Sequence, residues 1–307
     1  MSQTQRLLLI APPTMERTPA FERAAALAQA MQVPLHIVAF DYVQALAVAG
    51  LFAPEQIRLA RDGYLRTHRQ WLTEQASLLA RHHIKVTTEV VWVQDPFVEI
   101  LQFVNEMPVI LIIKDAQHES ALKRIFYTPL DWQLLRDCPV PVHLVTDDTH
   151  SRPRNVLAIV DVLRSEEQDC LFNDQILDAA TRLAEQCDAR LELVHVYDWT
   201  TVYTTDMGFG ALPLATGIHE TLGSAQHEAF AALAERHGVP DPCRHFIEGA
   251  PVPSICEFAD KQQIDVIVMG TVQHHGLSKL LGTTAEQLLH RAPCSVLAIK
   301  PQHTLQS

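Results

Sequence analysis

The feature that most constrains this chain is that it repeats itself. Five short apolar runs fill the first half: Leu7–Ala11, Leu35–Phe40, Lys85–Val93, Val109–Ile113 and Val140–Val145. They recur in the second half as Val156–Val160, Leu191–Tyr197, Arg244–Ile247, Asp265–Met269 and Ser295–Lys300, each offset by about 149 to 156 residues. Apolar runs of this length, bounded by polar or turn residues, read as buried strands. The 307 residues therefore hold two copies of one unit, each of ordinary domain size.

Helix signals stand between the strands. Thr18-Pro19 gives an N-cap followed by proline at the first helical position, with Phe21, Ala24, Ala28 and Met31 on one face. Asp95-Pro96 opens a second helix in the same way, with Ile100 and Phe103 inward. In the second copy Ser254 precedes Ile255, Phe258 and Ala259. The last helix of each copy opens on a capping box, Thr128-Pro129-Leu130-Asp131 and Thr283-Thr284-Ala285-Glu286. Behind the second box runs the stripe Ala285, Leu288, Leu289 and Ala292. Strands alternating with helices pair in parallel through right-handed crossovers. Strands apolar on both faces require a sheet covered on both sides. The expectation is two doubly wound α/β domains, residues 1–147 and 154–301, packed together on a short polar tether from Asp147 to Arg154.

Charge and composition exclude several partners. The net charge of −12 repels phosphate backbones and anionic lipid, so no nucleic acid is expected. The longest core-like run, Val109–Ile113, is far short of the ~20 apolar residues that cross a bilayer. Leu7–Ile10 is too short for the apolar region of a signal peptide, and Pro12-Pro13 and Glu16-Arg17 follow at once. The six cysteines, Cys138, Cys170, Cys187, Cys243, Cys256 and Cys294, include no C-x-x-C pair. They are expected to be reduced thiols in a cytoplasmic protein. Sixteen histidines would carry the net charge from −12 to +4 if all were protonated. The field is therefore expected to weaken between about pH 7 and pH 5.

In open α/β sheets ligands bind beyond the carboxyl ends of the strands, at the switch between strands one and four. In the second copy strand one ends in Val160-Asp161 and strand four in Met269-Gly270-Thr271. Gly276 follows, and Gly282-Thr283-Thr284 opens a helix. Glycines let backbone approach a ligand, and a helix N-terminus offers N–H groups to an anion. An acidic side chain at a strand tip can hold a hydroxyl or a metal ion. The candidate binding residues are thus Asp161, Gly270, Thr271, Gly276, Gly282, Thr283 and Thr284.

No catalytic set is visible: there is no G-x-S-x-G elbow and no H-E-x-x-H or Cys/His finger spacing. His82-His83, His143, His195 and His274-His275 are metal ligands only in principle. They are read as structural or solvated, as are His118-Glu119, His219-Glu220 and His227-Glu228, and no metal site is assigned. Cys138 and Cys294 read as packed thiols. Gly208-Phe209-Gly210 follows strand two and has proline at position 213, so it is not a dinucleotide fingerprint. Two apolar stretches, Ala45–Phe52 and Met207–Leu214, occupy matching places after strand two. Exposed apolar segments of this size cover something: the partner domain, a second copy of the chain, or a cavity for an acyl-type metabolite.

The stretch MGTVQHHGLSKLLGTTAEQLLHRAPCSVLAIKP, residues 269–301, resembles the C-terminal signature of the universal stress protein family. The doubled unit resembles its tandem branch. Phe126-Tyr127-Thr128-Pro129-Leu130-Asp131-Trp132 and Leu134-Leu135-Arg136-Asp137-Cys138-Pro139 are similar to the first-domain signature of that branch. The resemblance implies two flavodoxin-like (Rossmann-like) domains, each a five-stranded parallel sheet of order 3-2-1-4-5, paired through their fifth strands. It also implies a role in stress response, including resistance to DNA damage, with no common catalytic reaction.

A subset of the family binds ATP through an Asp after strand one and a G-x2-G-x9-G-[ST] loop. Here Asp161 and Gly270 match, but Gln273 stands at the second glycine and eight residues, not nine, separate it from Gly282-Thr283. In the first copy Pro12 replaces the Asp, Lys114 the first glycine and Thr128-Pro129 the Gly-[ST] pair, so no nucleotide is expected there. The resulting expectation is a cytoplasmic module that binds a small-molecule ligand or a protein partner without turnover, a homodimer included. The alternatives are ATP binding, with weak ATPase at most, in the second domain alone, and carriage of an apolar metabolite.

Overall fold

The computed structural model describes residues 4–43, 46, 54–81, 83–119, 124–126, 129–146, 150–163, 167–198, 216–271 and 282–301. The chain divides into two compact units, Met1–His118 with Tyr127–Arg152, and Glu119–Phe126 with Pro153–Ser307. The division departs from the sequence boundary chiefly at Glu119–Phe126, which cluster with the second unit.

The first unit runs β1 (Arg6–Ala11), α1 (Pro19–Met31), β2 (Leu35–Asp41), α2 (Pro54–Ala80), β3 (Val86–Trp92), α3 (Pro96–Glu106), β4 (Val109–Asp115), α4 (Pro129–Asp137) and β5 (Val142–Val145). Two three-residue strands, Gln117–Glu119 and Arg124–Phe126, pair with each other between β4 and α4. The second unit runs β6 (Asn155–Ile159), α5 (Glu167–Cys187), β7 (Arg190–Tyr197), α6 (Thr216–Arg236), β8 (Arg244–Glu248), α7 (Pro251–Lys261), β9 (Val266–Gly270), α8 (Thr283–Arg291) and β10 (Ser295–Ile299). Strand order is β3-β2-β1-β4-β5 in the first unit and β8-β7-β6-β9-β10 in the second. Pairing within each unit is parallel. All ten strands fall on the ten apolar runs, and each unit has the order 3-2-1-4-5.

The central strands show why the runs are continuous. Leu7, Leu8 and Leu9 in β1 and Val156, Leu157 and Ala158 in β6 are all fully buried, so both faces of each strand are covered. Each such leucine contributes roughly 1.5–3 kcal/mol of burial. Edge strand β3 instead alternates, with Thr87 and Glu89 turned outward.

The helix starts follow the sequence only in part. Asp95 caps α3 as expected, its carboxylate accepting the Phe97 N–H at 3.1 Å. Thr18 holds the N-cap position of α1 but makes no cap bond of its own. Its hydroxyl donates to Asp115 Oδ2 at 2.5 Å, and Asp115 Oδ1 accepts the Ala20 N–H at 3.1 Å. The end of β4 therefore caps α1. Helix α7 starts at Pro251, three residues before the expected Ser254. In α8 the N-cap is Gly282 and Thr283 is already helical, so the box expected at Thr283–Glu286 does not form. Thr128 of the other box lies outside the described residues.

Gln32, His83, Asp188 and Gln263 end helices in the left-handed conformation, with φ of 54°, 61°, 54° and 50°. Among the described residues only α6 ends on a glycine in that conformation, Gly238. Among the described residues no helix is long and apolar enough to cross a membrane. All six cysteines are free thiols, and Cys138 and Cys294 are buried.

Candidate functional site

The two central strands of the second unit, β6 and β9, carry the crevice that this topology creates at its switch point. A cavity of about 300 Å³ opens at their carboxyl ends, the lower limit of the usual range for ligand sites. Asp161, Gly270, Thr271, Gly282 and Thr284 all line it. Thr283 is the first residue of α8. Gly276 lies outside the described residues, as do Gln273, His274, His275 and most of the two apolar stretches after the second strands.

Asp161 sits exposed at the tip of β6, and its backbone is fixed by Asn173 of α5. The Asn173 amide donates to the Asp161 carbonyl at 2.7 Å and accepts the Asp161 N–H at 3.1 Å. Asp161 Oδ1 in turn accepts the Leu163 N–H at 2.9 Å. Buried Thr271 donates its N–H to the Ile299 carbonyl at 3.3 Å, and its own carbonyl accepts the Gly282 N–H at 3.2 Å. That last bond closes the base of the connection between β9 and α8. It also engages the Gly282 N–H, which an anion at this helix start would need.

Gly270 answers to a side chain. A Cβ at this position would lie 2.5 Å from Phe172 Cε1, 2.6 Å from Phe172 Cζ and 3.1 Å from Ile176 Cδ1. The absent Cβ lets the Phe172 ring of α5 approach the strand end closely. His195 of β7 is buried, with Nδ1 3.1 Å from the Val160 carbonyl and Nε2 3.0 Å from Gln226 Oε1 of α6. A carbonyl only accepts, so Nδ1 carries a proton. With both ring nitrogens engaged, His195 is structural rather than a metal ligand. In the first unit β2 is tied to its long helix in a related way, by Asp41 Oδ2 and His68 Nδ1 at 2.7 Å, both wholly buried.

Three carboxylates, Asp161, Asp169 and Asp198, line the cavity, and no Lys or Arg does so among the described residues. No three His, Cys, Asp or Glu side chains converge to hold a metal ion among the described residues. Sequence reasoning missed Asp169, Phe172, Asn173 and Gln226. The one signal available was an asparagine inside a helix, where its side chain competes with the backbone.

The same place in the first unit is bridged. Lys114, which stands where the second unit has Gly270, reaches Asp131 of α4 with Nζ 2.8 Å from Oδ1, and donates to the Asp115 carbonyl at 3.1 Å. Asp115 is itself held by Thr18 and Ala20.

The histidines do not titrate as one set. Burial, aided by the Arg6 charge, lowers His36 from 6.5 to about 4, so it does not charge between pH 7 and pH 5. His143 Nε2 lies 3.2 Å from Arg23 Nη1, which can only donate to it.

A sequence model described as the universal stress protein family matches residues 6–146 and again residues 154–300. The chain belongs to the universal stress protein family. It is 28% identical to universal stress protein E of Escherichia coli K12 over 306 residues, covering 98% of this chain and 95% of that protein. Universal stress protein A homolog 1 of Coxiella burnetii is 34% identical over 147 residues, 48% of this chain and 95% of that one. The crystal structure of a functionally unknown protein from Pseudomonas aeruginosa shares the fold with a TM-score of 0.73 and 25% identity, over 98% of this chain and 93% of that one. A universal stress protein from Archaeoglobus fulgidus has a TM-score of 0.66 at 17% identity, over 97% and 98% of the two chains, a likeness of fold alone. This tandem universal stress protein thus carries two unlike copies of the family domain, one with an open cavity and one with the corresponding strand end bridged by an ion pair.

Proposed function

We propose that this universal stress protein is a reversible binding module for a small organic ligand, seated in the second-unit cavity, and that it serves the stress response in the cytoplasm without turnover. The observation that carries this reading is the Phe172 ring lying against Gly270. It gives an apolar surface to the position that would otherwise let a phosphate approach the backbone. The absence of Lys or Arg from the described lining supports the same reading, because a polyphosphate needs cationic partners. Among the described residues the buried histidine at the cavity, His195, has both nitrogens engaged and so offers no free base for catalysis. Asp161 and Thr284 would supply polar contacts, with Ile176 and Leu288 packing on the ligand's apolar part. Thr271 and Gly282 would hold the cavity's base, with Thr283 as the first residue of the adjoining helix. Six free thiols fit a reducing compartment.

Native mass spectrometry of freshly purified protein, with and without added ATP, tests the reading. A co-purified organic mass at one per chain, with no ATP adduct, is the expected result. A stoichiometric ATP adduct that Asp161→Ala abolishes would replace it with nucleotide binding. Bare protein in both samples would leave partner binding as the function.

A further inference from the structure

We infer that β8, the outer strand of the second unit, is where two copies of this chain associate, edge to edge about a two-fold axis at Phe246. The inference goes beyond the ligand cavity and stands whatever that cavity holds.

The strand is bonded on one side only. Its single neighbour is β7, in a continuous parallel register from Arg244 opposite Leu193 to Glu248 opposite Tyr197. Gly249 donates its N–H to the Tyr197 carbonyl at 3.1 Å. Backbone groups alternate in direction along a strand. His245 and Ile247 therefore also face β7, and Arg244, Phe246 and Glu248 turn their backbone groups outward. The Arg244 N–H is taken by the Asp241 carbonyl. The N–H groups of Phe246 and Glu248 have no backbone partner among the described residues.

An open edge is a template for another strand, and native edges are blunted by charge, proline or a bulge. The outer strand of the first unit, β3, exposes Thr87 and Glu89. In β8 the centre is Phe246 and Ile247, both only half-buried, and the strand holds no proline, lysine or bulge. The layers beside it leave room. Helix α6 packs over β7 and β8 alike, and α7 over β7. A helix set between the last two strands would meet its two-fold mate across two strand spacings, roughly 10 Å, a distance at which helices pack.

The sequence fits this edge to a copy of itself. Antiparallel pairing centred on Phe246 sets outward groups against outward groups. The two Phe246 residues exchange N–H to carbonyl bonds, and each Glu248 N–H meets the Arg244 carbonyl of the other chain. In this register Arg244 stands opposite Glu248 at both ends, so opposite charges face each other. The Glu248 side chain is exposed. Arg244 is held in place through Nε on the Val239 carbonyl and Nη1 on Asp241, both at 2.7 Å, with Glu235 3.9 Å from Nη1. Its Nη2 is left to face the second copy. Moving the axis to His245 or Ile247 sets Phe246 against a charged residue instead.

An edge of five residues gives weak, concentration-dependent association. Sedimentation velocity of the full chain should show monomer near about 1 µM and mostly dimer by about 200 µM. Deuterium exchange at the Phe246 and Glu248 amides should slow about fivefold across that range, a readout that needs no variant. Glu248→Pro deletes an outward N–H at the strand's last residue, where proline breaks no bond to β7, and should weaken dimerisation about tenfold. Glu248→Gln keeps the N–H, removes the charge, and should weaken it about threefold. Unfolding of both variants at about 1 µM, where the chain is monomeric, should match wild type.

Monomer throughout the range overturns the inference. So does a dimer that Glu248→Pro leaves as tight as wild type, or one whose formation leaves exchange at Phe246 and Glu248 unchanged, because the contact then lies on another face.

Discussion

Lys114 Nζ stands 2.8 Å from Asp131 Oδ1, and the Asp131 carboxylate is wholly buried. The pair is held by charge rather than by a well-angled hydrogen bond. It bridges the carboxyl end of β4 to α4, where the second unit keeps Gly270 and a cavity. Breaking one half of a buried pair is far worse than removing both. Lys114→Met should therefore cost about 3–5 kcal/mol in urea unfolding, and Lys114→Met with Asp131→Leu should recover most of that. A single variant of wild-type stability would mean the pair does not organise the first unit.

The contact between Phe172 and Gly270 makes a second prediction. A methyl group at position 270 meets the ring at 2.5 Å, so Gly270→Ala must push Phe172 into the cavity or out of it. The cost should be about 1–3 kcal/mol, as for other overpacked sites. In Phe172→Ala the same added methyl should be nearly neutral, giving a large coupling in a double-mutant cycle. Thermal unfolding of the four proteins measures it, and simple additivity would show that the ring does not set the need for glycine.

How much the sequence disclosed depended on how local the cause was. The ten strands were legible because burial on both faces leaves a continuous apolar run with no competing pattern. The Asp95 cap was legible because donor and acceptor lie two residues apart. The α1 cap was not, since Asp115 is 97 residues from Thr18. Within the site the backbone positions Gly270, Thr271 and Gly282 could be read from strand ends and helix starts. Phe172, Asp169 and Gln226 could not, because a helix residue facing a cavity obeys the same 3.6-residue period as one facing the core.

The helix ends were hidden for a related reason and lead to a third prediction. Gln263 follows α7 with φ of 50°, donating its N–H to the Asp260 carbonyl at 3.2 Å. A residue with a Cβ is strained in that conformation by roughly 1–2 kcal/mol, and glycine avoids the strain while adding some chain entropy to the unfolded state. Gln263→Gly should stabilise by about 0.5–1 kcal/mol, and Gln263→Ala should not. Gln32, with φ of 54° after α1, should respond in the same way. Gains from the two sites should add, being in different units. Equal melting temperatures for the glycine and alanine variants would remove the strain argument.

The last prediction concerns acid. His36 lies on β2, 6% exposed, with Nδ1 2.8 Å from Thr87 Oγ1 and its ring 5.5 Å from that of Phe103. Glu89, 3.9 Å from Nε2, favours the charged ring but is half exposed. Burial, with the Arg6 charge, prevails and holds His36 down at about 4. The folded protein therefore keeps this ring neutral where the unfolded chain takes up a proton near 6.5. Stability should be unaffected by His36 above that value. It should fall by up to about 1.4 kcal/mol per unit as pH drops from 6.5 to 4, then level off. Comparing urea unfolding at pH 7 and pH 5, wild type should lose about 2 kcal/mol more than His36→Gln, which keeps a partner for Thr87 but cannot titrate. The His36 ring proton in NMR should stay unshifted between those pH values. If it titrates near 6.5 instead, burial does not govern this ring, and wild type and His36→Gln should lose stability in parallel.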